Sequence, residues 1–440
     1  MMRRNYYAGS LWRLLVAYLS VALIVLYPLT GTVLANPTGE SVVAGSAQFD
    51  RAGDALTVTQ ETDRAVINWE SFSIGAGELT QFVQPGMDAA ALNRVVGPDV
   101  SSLYGTLSAN GQIYLINPHG IIVGPDGVID VHSFVGSTLD VSNAEFLSGG
   151  ELLFSGDSAA EVRNLGTIDA MGGDVFLIAR KVSNEGSITA PDGTAALAGA
   201  SEVLLTQSGP DPLIVQPDAE GAVVNESAIE GARVELQAAG GNMYALAINN
   251  EGAVRATEAV RENGRVLLQA SQGTVRHSGI IETEGGSVGV TGEEVVLEDG
   301  STIDAGGEAG GVVEVGGSYQ GRGPLASSQK TIVAEAAEIH ADGAAGDGGR
   351  VVIWSDGETQ FSGTVTAEAA GETGQGGFVE VSGLGGLAFD GTVSTLAESG
   401  LTGTLVIDPI DVFVADSGGD ITPATIASAV GSNHVVVHTS

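Results

Sequence analysis

The residues of this chain that could do chemistry are its carboxylates, its histidines and one short turn. Its 54 Asp and Glu residues far outnumber its 17 Lys and Arg residues. No compact group of carboxylates with a basic residue stands out, as acid–base catalysis or metal-assisted hydrolysis would need. The chain has no Cys, no Gly-x-Ser-x-Gly elbow and no phosphate loop followed by Lys. Metal-ligand spacing is also absent from its histidines, which are His119, His132, His277, His340, His434 and His438. The sequence therefore predicts no catalytic residue, no metal site and no cofactor.

One short segment combines two Asp residues with four Gly residues. Residues 342–349 read Asp-Gly-Ala-Ala-Gly-Asp-Gly-Gly, which is faintly similar to a calcium-binding glycine and aspartate repeat. The regular nonapeptide of such repeats is missing. The pattern favours a plain turn.

The turn-forming stretch is Asn117-Pro118-His119-Gly120-Ile121, between two apolar runs. Pro118 fixes its own φ and favours extended geometry at the residue before it, whereas Gly120 permits a positive φ. The Asn117 amide can bond its own backbone. The pattern predicts a strand, a tight turn and a second strand, with His119 as a passive surface residue.

Composition favours a uniform β-protein and excludes some partners. The chain has 440 residues, 65 of them Gly, with 43% hydrophobic and 5% aromatic side chains. It is too apolar for disorder and lacks the triplet period of collagen. The net charge of −37 repels phosphate, so nucleic-acid binding is excluded.

The first 35 residues have the plan of a signal peptide. A basic start with three Arg residues precedes the apolar run 14–29, and small side chains follow at Val33 and Ala35. We predict cleavage between Ala35 and Asn36. The alternative is an uncleaved membrane anchor, for which the apolar run is short.

Residues 48–147 read as short strands separated by turns. Residues 65–69 and 79–83 alternate between apolar and polar side chains. Trp69, Phe72 and Phe82 are the predicted large core residues. A helical turn is possible only around residues 88–93.

A loose repeat appears beyond Gly150. One half reads Asn-x-Gly-x-Ile-x-Ala, starting at Asn164, Asn184 and Asn250, with degenerate copies at His277 and Phe361. The other half reads Gly-Gly-x-Val-x-Val or Leu, and its copies start at 172, 285, 310, 348 and 376. Spacings of 20, 27 and 28 residues between equivalent positions suit the coils of a β-solenoid. The repeated Asn residues are expected to stack as an amide ladder inside the coil.

The repeat leaves one rival fold. A two-sheet β-sandwich array would need hairpins every 8 to 12 residues or so, whereas a helical repeat is excluded by the density of Gly. In the solenoid, Glu314 and Glu380 alternate with apolar neighbours and are expected to face solvent.

Five runs of residues occur in order along the chain, at 68–75, 92–97, 105–111, 110–124 and 137–142. Together they resemble the secretion domain of two-partner secretion exoproteins of the filamentous-haemagglutinin and haemolysin type of Gram-negative bacteria. The later run 403–409 is similar to a segment found downstream in such proteins. The resemblance implies an all-β fold, a right-handed parallel β-helix with an N-terminal cap. It also implies a dedicated outer-membrane β-barrel transporter with periplasmic docking domains as partner.

The family's secretion motif maps onto Asn117, Pro118, His119, Gly120 and Ile121, with His119 where the family usually has Asn. The family's second motif, Asn-Pro-Asn-Leu, has no clear counterpart near residues 82–86, a lack shared by adhesin-like members. We expect a signal peptide at 1–35, the secretion domain at 36–280 and a solenoid continuation at 281–440. The last of these ends in an apolar run and reads as truncated.

Two function classes stay open. One is an adhesin-like exoprotein, secreted or held at the cell surface, that reaches the outside through the periplasm and binds host or neighbouring-cell glycans or proteins. The other is a haemolysin, contact-dependent toxin or haem-acquisition exoprotein with the same export domain. A β-helix enzyme acting on polysaccharide is the least favoured alternative.

Overall fold

A computed structural model describes residues 36–206, 212–216, 220–241, 245–256 and 264–439. The predicted signal segment and the cleavage residue Ala35 lie outside the described residues. Asn36, on the other side of the predicted cleavage point, is buried: its Nδ2 donates to the Asp54 carbonyl at 2.8 Å, and its Oδ1 accepts from the Thr80 hydroxyl at 2.9 Å.

The chain winds into a right-handed parallel β-helix with three faces. Most coils contribute one short strand to each face, and these strands pair in parallel with their counterparts in the neighbouring coils. Apolar side chains point inwards from all three faces into one continuous core. Stacking, not hairpin formation, therefore buries the apolar residues, which excludes the β-sandwich array.

Face 1 begins next to the cap. Its strands are Ala55–Gln60, Leu79–Val83, Thr106–Ala109, Val128–Val131, Thr167–Ala170, Ala253–Ala256, Ile280–Thr283, Thr302–Asp304, Glu338–His340, Thr364–Thr366 and Thr392–Ser394. Two longer strands, Ser187–Gly199 and Ile229–Ala238, run along face 1 and continue onto face 2.

Face 2 follows face 1 in every coil. Its strands are Arg64–Trp69, Ala90–Val95, Gln112–Ile116, Ser133–Ser137, Val175–Ala179, Arg265–Ala270, Ser287–Thr291, Val312–Val315, Arg350–Ile353, Phe378–Val381, Thr404–Ile407 and His434–Val437. The strand at 90–95 corrects our expectation of a helical turn around residues 88–93: Ala91 and Leu92 are fully buried in the ladder, and this packing overrides local preference.

Face 3 closes the triangle. Its strands are Ser101–Leu103, Ile121–Val123, Glu161–Asn164, Lys181–Asn184, Ala222–Asn225, Leu246–Asn250, Thr274–His277, Glu294–Leu297, Lys330–Val333, Glu358–Phe361 and Gly386–Phe389. The Asn-x-Gly half of the repeat forms the corner from face 3 to face 1, and the Gly-Gly half leads into face 2. The spacings of 20 and 27 residues are confirmed as coil lengths, because Asn164 pairs with Asn184 and Asn250 with His277.

A two-strand cap covers the first coil. Ser41–Ala44 pairs antiparallel with Arg64–Trp69, and Ala47–Ala52 pairs antiparallel with Ala55–Gln60. These strands satisfy edges that would otherwise be open to pairing with another chain. The predicted core residues Trp69, Phe72 and Phe82 are confirmed as buried.

The face-3 core contains the expected amide ladder. Asn164 Nδ2 donates to Asn184 Oδ1 at 2.8 Å, Asn184 Nδ2 to Asn225 Oδ1 at 2.9 Å, and Asn225 Nδ2 to Asn250 Oδ1 at 2.8 Å. His277 ends the ladder, with its Nδ1 3.0 Å from Asn250 Nδ2 and its Nε2 3.2 Å from the Thr302 carbonyl. Since an amide only donates through Nδ2, the neutral ring accepts at Nδ1 and carries its proton on Nε2.

Face 2 carries a second layer in the first coils. The helix Asn143–Ser148 and the antiparallel strands Leu152–Ser155, Glu202–Leu205 and Leu213–Val215 lie over it. The layer buries a second apolar cluster that includes Phe146, Phe154 and Phe176. Ser142 caps the helix by accepting from the Glu145 N–H at 3.2 Å, a cap residue that sequence reasoning missed.

A second helix, Pro423–Ser432, packs near the last described coil, with Thr422 as its cap. In the described part of the chain, no helix has the length and apolar character needed to cross a bilayer.

Candidate functional site

The Asn117–Ile121 stretch forms the corner that leads from face 2 to face 3. It follows the strand Gln112–Ile116, and the next strand, Ile121–Val123, lies in a different sheet. The Gly120 N–H donates to the Asn117 carbonyl at 3.0 Å, which closes a four-residue turn, and Gly120 has a φ of 117°. The predicted strand–turn–strand is therefore confirmed, as a corner of the helix and not as a hairpin.

The Asn117 side chain is fully buried, and both of its polar atoms form hydrogen bonds within the protein. Its Oδ1 accepts from the His119 N–H at 2.9 Å, which is the predicted bond to its own backbone. Its Nδ2 donates to the Asp99 carbonyl and to Ser101 Oγ, both at 2.9 Å. Asn117 thus fastens the turn to the segment that precedes it.

The turn is also held from the next coil. Ser158 Oγ donates to the Pro118 carbonyl at 2.6 Å. A Cβ atom added at Gly120 would lie 3.3 Å from the Glu161 carbonyl, so a larger residue is disfavoured by both space and φ. Between these anchors only the Pro118 and His119 side chains are exposed, whereas Ile121 is in the core.

The structure therefore divides the five predicted residues by role. Asn117, Gly120 and Ile121 build the turn, and Pro118 and His119 form its surface. Sequence reasoning missed the supporting residues Ser101 and Ser158. Ser101 had a signal, since it is a polar residue at an inward position of a strand.

A pocket of about 500 Å³ lies between face 2 and the layer that covers it. Burial raises the pKa of the Tyr114 hydroxyl to about 12 and also raises the pKa of the Asp174 carboxyl. Both the charged Arg64 and Asp174 are used structurally: Arg64 donates to the Phe146 carbonyl at 2.8 Å, and Asp174 accepts from the Thr194 N–H at 2.8 Å. Arg64 thus ties face 2 to the covering layer, and Asp174 ties together two neighbouring coils.

Glu380 corrects a sequence prediction. It points outwards from face 2, as its alternation predicted, but it is fully buried. A loop covers this part of face 2, so the outward side is not the solvent side. Glu314, in the same outward column, is half-buried and accepts from the Ser318 hydroxyl at 3.1 Å.

The aspartates of the 342–349 segment serve turns. Asp342 accepts from the Glu368 N–H at 2.6 Å, and Asp347 accepts from the Gln375 N–H at 2.8 Å. Within the described ranges, no group of three or more His, Asp or Glu side chains is placed to hold a metal ion.

Comparison with known proteins decides the family. The family model of the TPS secretion domain, where TPS stands for two-partner secretion, matches residues 34–283. The chain belongs to the TPS secretion domain family. The crystal structure of the HMW1 secretion domain from Haemophilus influenzae shares 28% sequence identity with a TM-score of 0.71, covering 85% of this chain and 100% of that one.

Two curated relatives are heme/hemopexin-binding proteins of Haemophilus influenzae. One is 30% identical over 284 residues, which is 60% of this chain and 31% of the relative. The other is 35% identical over 126 residues, which is 28% of this chain and 14% of the relative. The match therefore spans about a third or less of the relatives' own length. TPS secretion domains form a family of export domains of exoproteins, and not a family of enzymes. Membership of this family implies an outer-membrane transporter as partner.

Proposed function

We propose that this chain belongs to a secreted or cell-surface exoprotein and directs its export through a dedicated outer-membrane transporter. We propose also that the transporter contacts the exposed Pro118–His119 edge of the Asn117–Ile121 turn. The observation that supports the contact is the division of roles in the turn: two exposed side chains stand on a backbone that is anchored by Asn117 from one side and by Ser158 from the other. Such a preorganised surface costs little conformational entropy to bind.

The test separates surface contact from fold. In cells that express the transporter, we expect Pro118→Ala combined with His119→Ala to reduce the amount of chain in the medium, with thermal unfolding unchanged. Asn117→Ala combined with Gly120→Ala disturbs the turn itself, so it lowers both secretion and thermal stability.

The matched control lies in the same coil. Pro125 and Asp126 are an exposed Pro-containing pair at the next corner, from face 3 to face 1. Pro125→Ala combined with Asp126→Ala should be secreted like the wild type. Secretion of the Pro118 and His119 variant at the wild-type level contradicts the proposed contact.

We infer further that residues 36–280 form the export domain and residues 281–440 continue it as an adhesin-like shaft, which catalyses no reaction and binds host or neighbouring-cell glycans or proteins. Parallel pairing runs unbroken through Ile280–Thr283, which supports one stiff rod. Binding of the secreted chain to intact cells or to a glycan array tests this; an absence of binding to both contradicts it.

A haem-acquisition role is the second candidate, supported by the names of the two relatives. Titration of the secreted chain with haemin, followed by absorbance, and capture on immobilised hemopexin test it. Saturable binding in either assay favours this candidate over the adhesin-like shaft.

A further inference from the structure

The loop that covers Glu380 has a closed base and a projecting tip. The Ser328 N–H donates to the Gly316 carbonyl at 2.7 Å, which brings the two ends together. Thr291 Oγ1 donates to the Ala326 carbonyl at 2.6 Å and fixes the returning limb. We call residues 316–328 the strap. Its tip is the 3₁₀ turn Tyr319–Gly321, which lies over face 2 of the coils that follow.

Few contacts hold the tip. The Tyr319 ring meets the Phe378 ring edge-on at 5.5 Å, and the Arg350 guanidinium lies 4.9 Å from the Tyr319 ring centre. The Gln320 N–H donates to Glu380 Oε2 at 3.2 Å, and Gln320 Nε2 is 3.4 Å from Asp408 Oδ2. Gly321 lies against the Trp354 indole. The tip thus depends on three rings, one cation and two carboxylates.

The tip is also strained. Gln320 has φ 54° and ψ 30°, the left-handed region, and is the one non-glycine residue with a positive φ in the described part of the chain. Side chains other than Gly and Asn adopt this region at a cost, which the surrounding contacts must offset. Weakening those contacts therefore favours release of the tip.

Glu380 lies at the centre of the charged groups beneath the tip. Asp408 faces it from the coil above, with Oδ1 buried and without a hydrogen-bond partner, and Arg350 faces it from the coil below. Directly after its strand, Ser382 Oγ donates to Glu380 Oε1 at 3.3 Å. Farther out, Glu314 stands two coils below in the same column, and Arg322 and His438 line the adjoining cavity of about 710 Å³.

Burial raises the pKa of Glu380 to about 7. The neighbouring Asp408 raises it further, whereas the Gln320 N–H, the Ser382 hydroxyl and Arg350 lower it. The neutral carboxyl therefore suits the closed strap, and the ionised one favours an open strap in which water reaches it.

We propose that the strap is a pH-sensitive cover, closed over face 2 when Glu380 is protonated and loosened when Glu380 is ionised. Closing binds a proton, because the pKa is higher in the closed state than in water. The closed form is therefore favoured at low pH and loses its advantage as the pH rises through about 7. For a single group with this pKa, the closing constant falls about tenfold between pH 6 and pH 8. Opening uncovers the Tyr319, Phe378 and Trp354 rings.

A single thiol measures the opening. The chain has no Cys, and Val352 is fully buried between Glu314 and Glu380 in the outward column. We would measure the rate at which Val352→Cys reacts with a water-soluble disulfide reagent. Dividing this rate by the rate for the exposed Ser362→Cys corrects for thiol ionisation. The ratio should rise about tenfold between pH 6 and pH 8.

Two further variants make the test specific. Glu380→Gln in the Val352→Cys background keeps a neutral side chain of the same shape, so the ratio should stay low and flat. Glu358→Gln, an exposed carboxylate on face 3, should leave the rise intact. A flat ratio in the Val352→Cys chain, an equal rise in the Glu380→Gln variant, or loss of the rise in the Glu358→Gln variant overturns the proposal.

A measurement on the unaltered chain guards against unfolding of the Val352→Cys variant. Gly321 lies against the Trp354 indole, so opening should shift Trp354 emission to longer wavelengths between pH 6 and pH 8. Glu380→Gln should abolish the shift. A shift that persists in that variant, or no shift in the unaltered chain, contradicts the proposal.

Discussion

The coils before and after His277 fill the same inward column of face 3 with opposite chemistry. From Asn164 to His277 the column is polar, and after His277 it is apolar. The polar members are Asn164, Asn184, Asn225, Asn250 and His277, and the apolar ones are Leu297, Val333, Phe361 and Phe389. All are fully or almost fully buried. One backbone geometry therefore accepts two kinds of core.

The difference lies in how each core tolerates change. In the amide ladder every member donates to the next, so removing one leaves a buried donor below it and a buried acceptor above it. Such a hydrogen-bonded ladder also makes a shift of register between neighbouring coils unfavourable. In the apolar column Phe361 and Phe389 meet with ring centres 5.0 Å apart, and only volume and shape matter. The first region should therefore be the more specific and the second the more adaptable.

The largest effect is expected from Asn225→Leu in the middle of the ladder. It removes the ladder partners of Asn184 Nδ2 and Asn250 Oδ1, at about 1 to 3 kcal/mol each, so the free energy of unfolding should fall by about 2 to 6 kcal/mol. Chemical denaturation of the chain measures this. A loss below about 1 kcal/mol contradicts the role of the ladder.

The reciprocal change, Val333→Asn, places one amide in the apolar column. No ladder neighbour is available there, because Leu297 and Phe361 flank it. We expect a loss of about 1 to 3 kcal/mol in the free energy of unfolding. Denaturation of this variant beside Asn225→Leu shows whether the columns differ, and an increase in stability refutes the comparison.

The end of the ladder should respond to pH. Burial lowers the pKa of His277, and the protonated ring can no longer accept from Asn250. Since the unfolded ring binds a proton below about pH 6.5, stability is complete above that pH and falls below it by at most about 1.4 kcal/mol per pH unit.

The difference between the chain and His277→Gln isolates this term, because other groups titrate in the same range. Glutamine can accept from Asn250 and donate to the Thr302 carbonyl, so its profile between pH 5 and 6.5 should be flatter. Superimposable denaturation profiles would show that the ring does not carry the effect.

The smallest effect is expected from Leu297→Met, directly after His277 in the column. The two side chains have similar volumes, so the loss should stay below about 1.5 kcal/mol. Denaturation again measures it. A loss as large as that of Asn225→Leu removes the distinction between the two regions.

Much of this architecture could be predicted from sequence, because each coil of a solenoid corresponds to one repeat in the sequence. The spacing of Asn164, Asn184 and Asn250 predicted both the coil length and the amide ladder, and the degenerate copy at His277 lies in register with them. Pro118 and Gly120 likewise predicted the turn. In these cases local geometry and core packing favour the same structure.

The outer side of face 2 could not be predicted in this way. The alternation of apolar and polar residues shows which side chains point outwards. Whether that outer side is exposed to solvent depends on loops that cross several coils. Glu380 is covered by Gln320, 60 residues earlier, and Tyr114 lies beneath the layer that includes Phe146. The supporting bonds of Asn117 were missed for the same reason, since they join segments of different coils.

Export is the central claim, and transporter dependence tests it most directly. The complete chain would be expressed in a Gram-negative host with and without its outer-membrane transporter, and the culture medium and periplasm would be assayed for the protein. The account predicts that the chain reaches the medium or cell surface only with the transporter and accumulates in the periplasm without it. Equal release in both strains, or retention in the periplasm despite the transporter, would contradict it.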